Sequence, residues 1–266
     1  MNPTIGQIIE VIEEKARPDW QEEYDNTGWQ ILLDGYLEKE CSGLLLCVDV
    51  TPAIVHDASS RGCNLIISHH PLIFRGLKRI EAGSRVSDSI IETIKNDISI
   101  YSCHTSIDSA PAGVSHYLAN KLNLRDIEPL HPGQESGTGI GITGFLPSPL
   151  PVRDLIEKIK DACESPIARC SGIENLSEPI RKIAIGGGAC GDLIPLALEK
   201  SCQMMITSDV KHNQFIDYAD KIGVVDLGHY ETERCTKEIF YKIITEKFPN
   251  FVPYYSTIEH NPLTYL

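Results

Sequence analysis

The sequence predicts an α/β protein built as two related three-layer α/β halves with mainly parallel sheets. Three observations carry that expectation. Strand-length apolar runs alternate with helix-length amphipathic segments along the chain. The runs are continuous, as in "GLLLCVDV" and "CNLIIS", which is the pattern of strands covered on both faces. The strand–helix–strand rhythm of the first half then recurs in the second.

In "TIGQIIEVIEEKARP", Ile5, Ile8, Ile9 and Ile12 fall at helical spacing, with Thr4 as cap and Pro18 as stop. "GLLLCVDV" (43–50) reads as a buried strand, "TPAIVHDASSRG" as a helix and "CNLIIS" as the next strand. "VSDSIIETIKNDI" follows as a helix, "SIYSCH" as a strand and "GVSHYLANKL" as a further helix. The run "RDIEPLHPGQESGT" from Arg125 is rich in proline, glycine and acidic residues and has no period, so a domain boundary is expected there. The first half is then 1–126, with 240–266 as a segment able to return to it, and the second is 127–239. The second half resumes with "GITGFLP", a helix opening at "PLPVRDLIEKIKDAC" with proline in its first turn, and "IRKIAIGGGACGDLIPLALEKSCQMMITSD".

Laid together without gaps, 44–70 and 183–209 each read strand, turn, helix, cysteine, strand, polar exit. Further on, "YSCHTSID" (101–108) lies against "DLGHYETE" (226–233), matching His104 with His229 and Asp108 with Glu233. The coincident His-x3-acid pairs favour a structural duplication over the rhythm that any two α/β halves share.

Bulk properties narrow the function. The 266 residues carry a formal net charge of −13, which argues against non-specific nucleic-acid binding. Hydrophobic content of 42% and charged content of 23% are those of a soluble globular chain. No apolar run approaches the length of a membrane span, and "MNPTIGQIIEVIEEK" lacks a signal layout, so no membrane association and a cytoplasmic location are expected. Nine cysteines without a CxxC pair, several in apolar strand runs (Cys47, Cys63, Cys103, Cys202), read as reduced core thiols.

The chemistry-bearing residues sit at strand exits: His69-His70 after "NLIIS", His104-x3-Asp108 and His229-x3-Glu233. Ligands of open parallel sheets collect at the carboxyl ends of strands, and positions i and i+4 share a helix face. Nitrogen and carboxylate donors of this kind suit borderline divalent metals. Five or six exceed what one tetrahedral catalytic zinc uses, whereas two ions about 3.5–4 Å apart would employ them all, with Glu233 able to bridge. The expected site lies in the cleft between the halves. The competing account is separately hydrogen-bonded histidines, the reading given to His56, His116, His131 and His260. "GGGACGD" (186–192) lacks the ending of a P-loop and is read as a tight turn. "DNTGWQI" reads equally as cleft lining or as a polar turn entering a strand.

"GCNLIISHHPLIF", "HTSID", "SDVKHNQF", "GHYETER" and "YDNTGWQI" together resemble the NGG-interacting-factor-three-like family of dinuclear metal-centre hexameric proteins, whose members include GTP cyclohydrolase 1 type 2 homologues. The resemblance runs from about Tyr24 to near the C-terminus. It implies metal ligands His69, His70, Asp108, His229 and Glu233, with His104 nearby as a supporting residue or proton carrier. It also implies a toroidal homohexamer. "TSDVKHN" departs from many relatives, which have a glycine after the threonine and a second histidine. His212 is therefore carried only as a candidate proton carrier beside His104, and Lys211 has no assigned role.

The expected function is that of a dinuclear metal-dependent hydrolase. Its two divalent ions (zinc, iron, manganese or cobalt) generate a bridging hydroxide that attacks a small-molecule, nucleotide-like substrate, as in purine ring opening by a GTP cyclohydrolase. The alternative is a non-catalytic protein that binds or delivers metal, or an interaction protein forming a ring.

Overall fold

Leu44–Cys47, Leu65–Ser68 and Ser99–Ser102 are strands with every residue buried in the computed structural model, which describes residues 2–265. They form the parallel centre of a five-stranded sheet. Tyr254–Tyr255 adds in parallel at one edge and Gly28–Ile31 antiparallel at the other. Leu44 lies opposite Leu65, and Leu65 opposite Ser99, so the three central strands end level.

Helix Pro52–Ser60, capped by Thr51 with proline in its first turn, and helix Arg85–Lys95, capped by Ser84, carry the chain between these strands. Their Ile54, Val55, Ala58 and Ile90 pack with Leu45, Cys47, Ile66 and Ile100 from one face of the sheet. Leu44, Leu46, Leu65 and Ile67 point the other way and are equally buried, because side chains alternate along a strand. Helices Ile5–Lys15 and Thr236–Lys247 pack on each other, and the second also packs on strand Leu44–Cys47. Thr4 and Gln7 close a capping box ahead of the first helix.

The second unit holds a six-stranded sheet in the order Arg125–Pro132, Gly139–Leu150, Ile180–Ile185, Met204–Thr207, Gly223–Asp226, Arg169–Ser171. Only its centre, from Ile180–Ile185 to Gly223–Asp226, is parallel; the flanking pairs are antiparallel. The central strands again end side by side, Ile185 opposite Ile206 and Thr207 opposite Asp226. The gap-free alignment noted above places strand Leu65–Ser68 on strand Met204–Thr207, and helix Pro52–Ser60 on residues 191–199. Those residues form a 3-10 turn, Gly191–Leu193, running into helix Ile194–Glu199.

The units are Met1–Ile107 with Thr236–His260, and Asp108–Cys235 with Asn261–Leu266. The chain therefore changes unit at Asp108, ahead of the boundary expected after residue 126, and returns at Thr236. Residues 240–260 do belong to the first unit. The run expected to hold the boundary is strand Arg125–Pro132 and its turn, paired antiparallel with Gly139–Leu150. Its prolines fit because it is an edge strand, where a missing amide costs no ladder bond. Gly139 closes the hairpin at φ +144°, where a Cβ would stand 2.1 Å from the His131 carbonyl oxygen.

Candidate metal centre

In the first unit the level strand ends set three histidines together. The His69 amide donates to the Cys47 carbonyl (3.1 Å), His70 to Val48 (2.9 Å) and Cys103 to Ser68 (2.9 Å). The ladder thus continues past the strands and holds both exits against it. The Ser68 hydroxyl donates to the His70 carbonyl at 2.9 Å and lies 2.7 Å from Ser102 Oγ. Ring centroids of His69 and His70 are 4.9 Å apart, of His69 and His104 5.3 Å, and of His70 and His104 5.5 Å.

Each ring is held by the same nitrogen. His69 Nδ1 is 3.1 Å from the Cys103 carbonyl oxygen, which only accepts, so Nδ1 carries the proton and Nε2 the lone pair. His70 Nδ1 faces Asp49 Oδ1 at 3.1 Å, and His104 Nδ1 faces Asp25 Oδ1 at 2.6 Å. One nitrogen from each of the three rings lies within 4.8 Å of the others. Imidazoles fixed at Nδ1 by a carboxylate or carbonyl, with Nε2 as the donor nitrogen, are the usual protein preparation for a divalent cation, so this donor set fits the expected metal.

Asp25 is the most strongly held of these partners. Its side chain is wholly enclosed. It accepts from His104, from the Thr105 amide at 2.9 Å and hydroxyl, and from the Asn26 amide at 2.7 Å. Burial by itself raises its pKa, but the hydrogen bond and charge of His104, with the bonds from Thr105 and Asn26, outweigh burial and hold the carboxyl well below the usual range. Asp25 is therefore an anion that orients His104. Phe74, partly exposed, meets the His104 ring edge-on at 6.0 Å.

In the second unit the corresponding strand exits supply carboxylates and one imidazole. Helix His229–Glu233 puts its first and last residues on one face, with His229 Nε2 2.9 Å from Glu233 Oε2. His229 Nδ1 is 2.8 Å from Asp209 Oδ2, which leaves the neighbouring strand Met204–Thr207. An oxygen of buried Asp108 lies within 4.8 Å of one from buried Glu233, close enough for the pair to share a cation. Where His229 Nε2 meets Glu233, a proton and a metal ion compete for the same lone pairs.

The glycine turn makes room for that carboxylate. Gly188 sits at φ +66°, and a Cβ there would stand 2.0 Å from Glu233 Oε1. Its amide donates to Thr232 Oγ1 (3.0 Å), the Gly187 amide to Ser115 Oγ (3.4 Å) and the Cys190 amide to Thr207 Oγ1 (3.0 Å). These amides serve the protein rather than a phosphate, in keeping with the tight turn expected from "GGGACGD".

His104 thus stands beside His69 and His70 as a third candidate donor, as the strand-exit pattern allowed and the family resemblance, which made it a supporting residue, did not. His212 opens helix His212–Tyr218 as an exposed residue and belongs to none of the possible ion-holding groups among the described residues. Asp25, Asp49 and Asp209, which orient His104, His70 and His229, went unnoticed in the sequence. Asp209 had a signal, since it aligns with His70 in the internal repeat. Asp25 lay in the polar turn whose two readings were balanced, and the structure makes it the anchor of His104 while Gly28–Ile31 forms the edge strand.

Residues 3–262 match the Duf34/NIF3 (NGG1p interacting factor 3) family. The chain is 35% identical over 231 residues to a GTP cyclohydrolase 1 type 2 homolog of Nostoc sp., covering 86% of this chain and 87% of the relative. It is 33% identical over 235 residues to the protein of that name in Clostridium perfringens, covering 86% of each. The solved structure of a Bacillus cereus protein related to NIF3 shares the fold, with a TM-score of 0.89 at 23% identity over 100% of both chains.

Proposed function

Because the chain belongs to the Duf34/NIF3 family, we propose that it is a metal-dependent hydrolase using two divalent ions held by His69, His70, Asp108, His229 and Glu233. The observation that carries the reading is the set of strand-end imidazoles, each fixed at Nδ1 by a carboxylate or carbonyl so that Nε2 is the donor nitrogen. When bound, the ions supply Lewis-acid polarisation and lower the pKa of water at the site.

The chain's own residues do the rest. Asp25, held as an anion against His104 Nδ1, orients the ring, and we assign His104 Nε2 the task of accepting the proton of the attacking water. Asp49 and Asp209 fix the rings of His70 and His229. A purine nucleoside triphosphate is the proposed substrate, supported by the name that the relatives at 33–35% identity carry. A toroidal homohexamer belongs to the same proposal and predicts a light-scattering mass of six chains.

Elemental analysis of the native protein is expected to give about two ions per chain. The metal-loaded protein should release formate from GTP, and the variant carrying His70→Ala and Glu233→Ala should not. Equal turnover by that double variant overturns the hydrolase. Full metal occupancy without turnover of any nucleotide points instead to the metal-binding or metal-delivery protein. His104→Ala should keep the metal and lose turnover; loss of an ion would make His104 a ligand.

A further inference from the structure

The segment "YYSTIEHNPLTYL" has no part in the site as described, yet it reaches the residues that hold His70. Tyr254–Tyr255 lies parallel to Leu45 and Leu46 at the sheet edge, and the Ser256 amide donates to the Leu46 carbonyl at 3.3 Å. Three residues later Glu259 arrives at the end of strand Leu44–Cys47. There Glu259 Oε1 accepts two successive amides, Val48 at 2.6 Å and Asp49 at 3.1 Å. Its other oxygen takes Lys237 Nζ at 2.5 Å, in an ion pair with side-chain exposures of only 5% for Glu259 and 12% for Lys237. A carboxylate so enclosed persists only where hydrogen bonds and a cation offset its lost hydration, and here the cation and both amides are present.

The two residues whose amides Glu259 binds are the two that hold His70. The Val48 carbonyl accepts the His70 amide at 2.9 Å, and the Asp49 carboxylate faces His70 Nδ1 at 3.1 Å. Unlike Glu259, the Asp49 side chain is 43% exposed, so little packing fixes it and its direction depends on its backbone. We infer that Glu259, neutralised by Lys237, is a positioning residue for His70: it pins the Val48–Asp49 backbone and so sets the orientation of the imidazole toward its ion. The inference rests on the proposal that His70 is a metal ligand.

Two double variants separate positioning from mere stability, since both remove the buried charges. Lys237→Met with Glu259→Gln keeps an oxygen that can accept the two amides. Lys237→Met with Glu259→Leu fills the space without an acceptor. Co2+ is the probe, titrated into metal-free full-length protein. The glutamine variant is expected to bind within about threefold of the parent and the leucine variant about 10–100-fold more weakly, the usual cost of losing support behind a ligand. Long-range 1H–15N spectra of the metal-free proteins should show the parent His70 signals in the glutamine variant and altered ones in the leucine variant. Equal Co2+ affinity and identical His70 signals in the two variants overturn the inference. If the leucine variant does not fold, Lys237→Met with Glu259→Ala is read in its place with the same expectation. A parent protein that takes up no Co2+ defeats the proposed metal centre, while the His70 spectra still decide the role of Glu259.

Discussion

Gly188 shows how far one residue can be committed by another. Its left-handed backbone and the 2.0 Å separation between an added Cβ and Glu233 Oε1 leave no space for a side chain. Gly188→Ala should cost about 2 kcal/mol in urea unfolding, from backbone strain and displacement of a buried carboxylate. It should also weaken Zn2+ binding at least about tenfold, measured by competition with a chelating dye. Asp25 is committed in the same way through His104. Asp25→Ala removes the acceptor that His104, Thr105 and Asn26 share, and a loss of about 10–100-fold in turnover is expected, with the metal content by elemental analysis unchanged. The histidines were legible because adjacent imidazoles at the end of an apolar strand are unusual. Their aspartates were not, because a solvent-facing aspartate in a turn looks the same until folding brings a ring to it.

At the scale of elements, the strand exits are where pattern and chemistry meet. Short apolar strands and capped helices follow from local composition, and the parallel centres of both sheets match the continuous runs that announced them. The hairpin of Arg125–Pro132 and Gly139–Leu150 was hidden by its prolines, which usually end regular structure but are harmless on an edge. Gly139→Ala should therefore destabilise the second unit by about 2 kcal/mol or more in urea unfolding, because its Cβ would collide with the His131 carbonyl at φ +144°. Local turn chemistry was outweighed there by pairing with the following strand, at separations from 7 residues (Pro132 with Gly139) to 20 (Arg125 with Phe145).

Across the whole molecule the thiols and the ions offer independent tests. Burial pushes the thiols of Cys41 and Cys163 from 9.0 to about 12, and those of Cys63 and Cys202 to about 11. The folded state holds these protons longer than the unfolded chain does, so stability falls as pH rises from about 9 toward 11–12. At pH 8 their thiolate fraction is about two to three orders of magnitude below that of an ordinary cysteine. Native protein should react with a disulfide reagent chiefly at the half-buried Cys170, and at all nine cysteines only in denaturant. Saturating Zn2+ or Mn2+ should raise the unfolding free energy by about 2.7 kcal/mol at a hundredfold excess over Kd, and a chelator should reverse the shift in melting temperature. No helix among the described residues is long and apolar enough to cross a membrane. The amino-acid order by itself determined the α/β class and the histidines and acids near strand ends, because period, composition and spacing are local properties of a chain. Tertiary structure alone decided which carboxylate orients which imidazole, that Gly188 yields its space to Glu233, and that Glu259 returns beside Val48 and Asp49. Those relations join residues from 20 to over 200 positions apart, and only packing of the finished sheets brings them within a hydrogen bond.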